Sequence, residues 1–157
     1  MITTRRTEVP AATTAEGLGA LPRWPARTIA LLSTLGDDEP HAIPVSAPVR
    51  AGDRRILLNL HRTRDSLGRL RERPRVALTI LAAENIAFTA RGPAHIIQEP
   101  MTGAPDYAAI AIDVEQIDDH RHPAFQVEAG ADRRWVDESE REALGQRIRA
   151  LTELAAN

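Results

Sequence analysis

The chain has 157 residues, a formal net charge of −2 and 43% hydrophobic residues. This length suits one ordinary domain that buries about two-thirds of its unfolded surface. The absence of cysteine excludes thiol nucleophiles, disulfides and thiolate-bound clusters. The near-neutral charge gives no support for a nucleic-acid partner. No window approaches the roughly 18 apolar residues that a membrane-spanning helix needs, so we expect a cytoplasmic protein without a membrane partner.

Three segments are distinguished by composition. Residues 1–24 are rich in threonine, alanine and proline and lack periodicity, which predicts a flexible N-terminal arm that becomes ordered against a partner subunit. Residues 25–136 predict one β-rich domain. Residues 137–157 predict a terminal helix packed on that domain or on a second subunit.

A β-hairpin is predicted directly after the arm. An apolar strand over residues 28–34 is followed by an acidic turn over 36–39 and a second strand over 41–49. Pro44 and Pro48 interrupt the second strand, and proline within a strand removes a donor from the hydrogen-bond ladder. Such a strand lies at an edge, contains a bulge or has a ligand in place of its neighbour.

A cationic turn with two hydroxyl groups precedes a short predicted helix. Thr63 or Asp65 is a suitable N-cap, and the first N–H groups of a helix lack intrahelical partners. A phosphate placed there would meet those donors, the positive end of the helix dipole, the hydroxyls of Thr63 and Ser66 and the guanidinium groups of Arg62 and Arg64. The turn therefore predicts an anion site, although a capped surface helix with solvated arginines explains the same residues.

Four further strands complete a predicted set of six. They cover residues 56–60 before the turn and 76–81, 85–97 and 107–116 after the short helix, with an interruption at Gly92 and Pro93. Six strands with one inserted helix suit a small antiparallel barrel, in which closure removes exposed edges.

The C-terminal segment predicts an amphipathic helix. Asp137 followed by Glu140 is similar to a capping box. Apolar residues then recur at helical spacing, at Leu144, Ile148, Leu151 and Leu154. This apolar stripe must be covered by the barrel or by a second subunit.

The order of these elements resembles a known family. A hairpin with a proline-containing second strand, a third strand, a Thr-Arg-x-Ser turn and the sequence Leu-x-x-x-Pro-Arg-Val-Ala-Leu over residues 70–78 resemble the pyridoxamine 5′-phosphate oxidase-like FMN-binding split β-barrel family. The resemblance covers residues 26–92 and continues to about residue 120. It implies a mainly β, six-stranded antiparallel split barrel that forms a homodimer with the flavin at the subunit interface.

The resemblance also implies where FMN binds. The flavin ring would lie along the second strand, at Ile43, Pro44, Val45 and Ser46. The phosphate would lie in the turn after the third strand, at His61, Arg62, Thr63, Arg64 and Ser66. Many members carry an Arg-Lys pair after the serine, whereas Leu67 and Gly68 follow it here and the chain has no lysine. Arg69 is therefore a further candidate for the phosphate.

Two more groups of residues near the C-terminus have alternative interpretations. Trp135 either fixes the entry to the terminal helix as a hydrophobic staple or forms an aromatic wall for the flavin of the opposite subunit. Asp118, Asp119, His120 and His122 offer mixed oxygen and nitrogen ligands for a divalent metal. Their spacing matches no known site and a polar loop explains them equally well, so no metal site is predicted.

The resemblance implies a flavoprotein that passes a hydride or electrons between NAD(P)H and an unidentified small molecule. The flavin itself carries the redox chemistry, and no catalytic residue is identified from the sequence. One alternative is a deazaflavin-dependent reductase of the same fold, whose longer anionic cofactor tail favours an arginine-rich groove. The other is a non-enzymatic flavin- or haem-binding carrier or sensor.

Overall fold

The computed structural model describes residues 17–157. This part of the chain contains eight strands and two helices. The strands are β1 (Ile29–Leu35), β2 (Pro40–Ser46), β3 (Val49–Arg50), β4 (Arg55–His61), β5 (Arg75–Ala82), β6 (Ile86–Gln98), β7 (Tyr107–Asp113) and β8 (Gln116–Asp119). The helices are α1 (Asp65–Glu72), inserted after β4, and α2 (Glu138–Ala155). The predicted mainly β, antiparallel fold class with a short inserted helix and a C-terminal helix is confirmed.

The strand count is eight rather than six because one predicted strand is divided and a further strand, β8, lies mostly in the segment predicted as a polar loop. The predicted strand over 41–49 ends at Ser46, since Ala47 has a φ of 51°, a left-handed conformation that turns the chain out of the extended path. The two-residue strand β3 follows and pairs with β4. The predicted strand over 107–116 ends at Asp113, and β8 begins at Gln116 and pairs with β6.

One long strand connects the two halves of the open barrel. The strand order is β2-β1-β5-β6-β7-β4-β3. The first part of β6 pairs with β5 as far as Pro93, and Ala94 begins its pairing with β7. At this change of partner, a Cβ built on Gly92 would lie 1.9 Å from the carbonyl oxygen of Asp113. Glycine is therefore required at the predicted interruption so that the two backbones can approach.

Two apolar clusters lie on opposite faces of β4 and β7. Inside the barrel, Phe88 is fully buried with alternate residues of β4, β5 and β7. On the outer face, Leu57, Met101, Ala109 and Ala111 pack with Leu151 of α2. The C-terminal half of the α2 stripe, at Leu151 and Leu154, thus packs on its own barrel. Asp137 caps the helix by accepting a 2.9 Å hydrogen bond from the backbone N–H of Ser139.

The last part of the predicted N-terminal arm packs on its own chain. Leu21 is buried, and the Trp24 indole donates a 2.8 Å hydrogen bond to the Pro48 carbonyl oxygen. The Trp24 ring centroid lies 5.7 Å from that of Phe88. Residues 17–24 therefore do not form a flexible arm, while residues 1–16 of that prediction lie outside the described part. Neither helix within 17–157 is long and apolar enough to cross a bilayer.

Candidate functional site

A groove of about 130 Å³ lies between the end of β2 and the end of β4. Six of its residues were predicted as cofactor contacts, and they are Ile43, Pro44, Val45, Ser46, His61 and Arg64. Four others were not predicted, and they are Asn59, Leu60, Tyr107 and Arg147. The groove therefore joins the predicted flavin-ring segment to part of the predicted phosphate turn.

The β2 wall of this groove has backbone groups available for a ligand. Among the described strands β2 pairs with β1 alone, so it is an edge strand with one row of unpaired N–H and C=O groups. Val45 is buried in the core, while Pro44 is exposed. Proline has no N–H group and is tolerated at such an edge.

His61 is held by the residue two positions further along the turn. Its Nδ1 accepts a 3.2 Å hydrogen bond from the backbone N–H of Thr63, and the Thr63 hydroxyl lies 2.7 Å from the same atom. Because a backbone N–H only donates, the neutral imidazole carries its proton on Nε2. The Thr63 side chain is thus engaged with His61, and the ring presents an Nε2–H donor.

Arg147 of α2 completes the rim of the groove opposite β2. Its Nε donates a 3.0 Å hydrogen bond to Oδ1 of Asn59, and its guanidinium carbon lies 3.9 Å from the centroid of the Tyr107 ring. Tyr107 pairs directly with His61 across the strands, with ring centroids 5.1 Å apart. Hydrogen bonding and cation–π stacking together fix a planar cation beside the groove.

Sequence reasoning missed Arg147 although a signal existed. It follows Leu144 by three positions and precedes Ile148, which places it beside the apolar stripe of α2. Asn59 is likewise a single polar residue in an apolar strand, and it is 8% exposed. An arginine beside the apolar stripe of a helix and a single asparagine in an apolar strand were thus the sequence signals for the Arg147–Asn59 hydrogen bond.

Arg64 is the second cation of the groove, and its position corrects a prediction. It is the N-cap residue of α1 and makes no side-chain capping bond, so neither Thr63 nor Asp65 is the cap. No carboxylate within residues 17–157 lies at ion-pair distance from Arg64 or Arg147. The groove therefore holds two cations that are available to an anion.

Four other candidates of the predicted phosphate turn do not line the groove, and one of them is Thr63, whose side chain contacts His61. Arg62 is held by Glu99, with 3.6 Å between Nε and Oε1, and Glu99 also pairs with Arg71. Arg69 donates a 2.9 Å hydrogen bond to the Thr34 hydroxyl of β1. Ser66 is 1% exposed. A helical turn distributes consecutive side chains around its axis, so one basic segment cannot direct all of them at one ligand.

Replacing Ser66 with alanine is expected to raise the free energy of unfolding by up to about 1 kcal/mol. The buried Ser66 hydroxyl has no hydrogen-bond partner in the described part of the chain, and an unsatisfied buried polar group costs about 1–3 kcal/mol. Urea denaturation measures the change. A loss of stability above about 1 kcal/mol would show that the hydroxyl makes a bond that this structure lacks.

Trp135 lines a second cavity rather than the groove. This cavity of about 190 Å³, named here the arginine cavity, lies between α2 and the segment that precedes it. Trp135 is two residues before the N-cap, and the next residue, Val136, is 90% exposed. Arg133 connects the two concavities, since its Nη1 donates a 2.9 Å hydrogen bond to the Ser46 hydroxyl of the groove.

The polar residues considered for a metal have other partners, and Asp118 and Asp119 lie on strand β8 rather than in the predicted polar loop. Hydrogen bonds from Arg91 lower the pKa of Asp118, and hydrogen bonds from Arg121 lower the pKa of Asp119. His120 Nε2 lies 2.7 Å from the Thr89 hydroxyl, while the His122 ring is stacked on a phenylalanine. In residues 17–157 no group of three or more histidine, cysteine or acidic side chains is arranged to hold a metal ion.

Comparisons with known proteins identify the fold. No protein-family model and no curated protein sequence matches the chain. HupZ from Group A Streptococcus is similar in structure, with a TM-score of 0.51 and 17% identity over 67% of this chain and 90% of that one. A Clostridium acetobutylicum protein related to general stress protein 26 of B. subtilis, of the pyridoxinephosphate oxidase family, has a TM-score of 0.51 and 17% identity over 60% of this chain and 80% of its own.

A third structure extends this comparison. An F420 reductase has a TM-score of 0.50 and 13% identity over 60% of this chain and 91% of that one. Together with the open eight-stranded antiparallel sheet, these similarities show that the chain has the pyridoxamine 5′-phosphate oxidase-like split β-barrel fold.

Proposed function

We propose that this protein is a homodimeric, FMN-binding oxidoreductase that transfers a hydride or electrons between NAD(P)H and a small molecule. The observation that carries this proposal is the convergence of Arg64 and Arg147, two cations without a described ion-pair partner, on a groove bordered by the edge strand β2. The fold is shared with a protein of the pyridoxinephosphate oxidase family and with an F420 reductase.

The groove residues fit FMN in charge and polarity. Arg64 and Arg147 would meet the phosphate, because guanidinium groups bind phosphate through charge-assisted hydrogen bonds. The Ser46 hydroxyl and the free edge of β2 would meet the polar edge of the ring. Bound flavin supplies the redox chemistry, so these residues need only bind it, orient it and exclude water.

The volume of the groove supports a dimer. About 130 Å³ is well below the roughly 300 Å³ at the lower end of ligand pockets, so one chain covers only part of a flavin. Leu31, Leu35 and Leu81 are 45–49% exposed. Leu31 pairs with Pro44 of the groove wall. A second copy placed on this apolar face would complete the groove, and two-fold symmetry is the commonest arrangement.

Two measurements on freshly purified protein test the proposal. We expect the absorption bands of oxidised FMN, or their recovery after FMN titration, and bleaching of those bands on addition of NADH or NADPH. Light scattering should give the mass of a dimer at micromolar concentration. A flavin-loaded monomer would contradict the dimer. Failure to bind FMN at all would contradict the cofactor assignment, and bound FMN that neither nucleotide reduces would favour a carrier or sensor.

A deazaflavin-dependent reductase is the second candidate. The shared fold of an F420 reductase favours it, as does the use of arginine for all 20 basic residues of the chain. Parallel titrations with FMN and with the deazaflavin separate the two candidates, since the tighter-binding cofactor identifies the class. Haem gives different absorption bands from both flavins and would be recognised in the same spectrum.

A further inference from the structure

The arginine cavity is a second concavity that the proposed flavin site does not use. We propose that it binds a planar aromatic carboxylate. Binding of this acid does not depend on the proposed flavin site, because the cavity and the groove share no lining residue.

The charge of the cavity favours an organic anion. Its lining includes Arg27, Arg133 and Arg141 but only one carboxylate, Asp132. Arg27 has no carboxylate within ion-pair distance in the described chain, and Arg141 reaches only Glu138, at 3.5 Å, in a solvent-exposed pair. Exposed pairs of this kind contribute little free energy. Two guanidinium groups are therefore available to a carboxylate.

The remaining walls favour a flat apolar body attached to that carboxylate. Leu144 is 7% exposed and lines the cavity with Ile148, while Trp135 supplies an aromatic surface. The Arg133 guanidinium carbon lies 5.3 Å from the centroid of the Trp135 ring. A volume of about 190 Å³ suits a ligand smaller than the drug-sized molecules that fill pockets of roughly 300 Å³ or more. An inorganic anion would leave the apolar wall without a contact.

The groove and the cavity lie on either side of one strained backbone position, Ala47. Ala47 is buried with a φ of 51°, and its N–H donates a 2.9 Å hydrogen bond to the carbonyl oxygen of Thr28. Non-glycine residues in this conformation persist where the surroundings hold them, and they cluster at ligand sites. Because of this turn Ser46 lines the groove while Ala47 lines the cavity.

Calorimetric titration of the full chain with 2-naphthoate and with the neutral 2-naphthamide tests the proposal. We expect the carboxylate to bind at least about tenfold more tightly than the amide, in both flavin-free and FMN-loaded protein. Quenching of tryptophan fluorescence on binding should disappear in Trp135→Phe. Equal affinity for acid and amide, no binding of the acid, or competition between the acid and FMN would each overturn the proposal.

Matched arginine variants locate the binding. Arg27→Ala and Arg141→Ala should each weaken 2-naphthoate by about tenfold. Arg23→Ala, in the same loop as Arg27, and Arg149→Ala, on the same helix as Arg141, should leave its affinity unchanged, because neither residue lines the cavity. Thermal unfolding of each variant checks its fold. Equal losses in the cavity variants and in the controls would show non-specific charge attraction and overturn the assignment.

Discussion

Replacing Arg64 with alanine is expected to weaken FMN binding by about 1.5–3 kcal/mol, the usual range for a hydrogen bond to a charged group. Arg64 lines the groove without a described ion-pair partner and makes no side-chain capping bond. The thermal stability of the flavin-free protein should therefore change little. Fluorescence titration with FMN measures the loss, and titration with riboflavin, which lacks the phosphate, should show no loss.

Arg62→Ala is the matched control in the same turn. The Arg62 guanidinium pairs with Glu99 and donates to the Pro105 carbonyl oxygen at 3.3 Å, outside the groove, so its removal should leave FMN affinity unchanged. Arg147→Ala should weaken FMN while Arg62→Ala does not. If Arg64→Ala weakens riboflavin as much as FMN, the phosphate does not lie at Arg64.

Replacing Gly92 with alanine is expected to lower the free energy of unfolding by about 1–3 kcal/mol, the cost typical of overpacking. The new methyl group would lie 1.9 Å from the Asp113 carbonyl oxygen, and both atoms belong to paired strands that cannot move independently. The expected effect is a lower urea midpoint with the transition still cooperative.

Gly68→Ala is the matched control for this substitution. A Cβ on Gly68 of α1 meets no atom within 4 Å, and alanine favours a helix over glycine by about 0.5–1 kcal/mol. This variant should be slightly more stable than the natural chain. A Gly92→Ala protein with an unchanged urea midpoint would mean that the backbones of β6 and β7 approach each other less closely at Gly92 than the structure shows.

Local sequence patterns were sufficient to predict most of the helices and strands. The apolar run and the acidic turn predicted the β1–β2 hairpin, in which the Gly36 N–H donates to the Glu39 carbonyl oxygen at 3.0 Å. Asp137 and the spacing from Leu144 onward predicted α2. These features depend on neighbours within a few residues, where side-chain periodicity and capping act directly on the backbone. The division of the strand at Ala47 was missed, because alanine carries no signal for positive φ.

Which side chains line the groove depends on contacts between segments that are distant in the sequence. Arg147 donates a hydrogen bond to Asn59, which lies 88 residues earlier in the chain. Arg62 and Arg64 are equivalent in the sequence of the turn, but Arg62 pairs with Glu99 and does not line the groove. The sequence determined that a basic, hydroxyl-bearing turn follows β4. Only the tertiary structure decided which of its side chains face the groove, because helix rotation and the partners supplied by other strands direct each one.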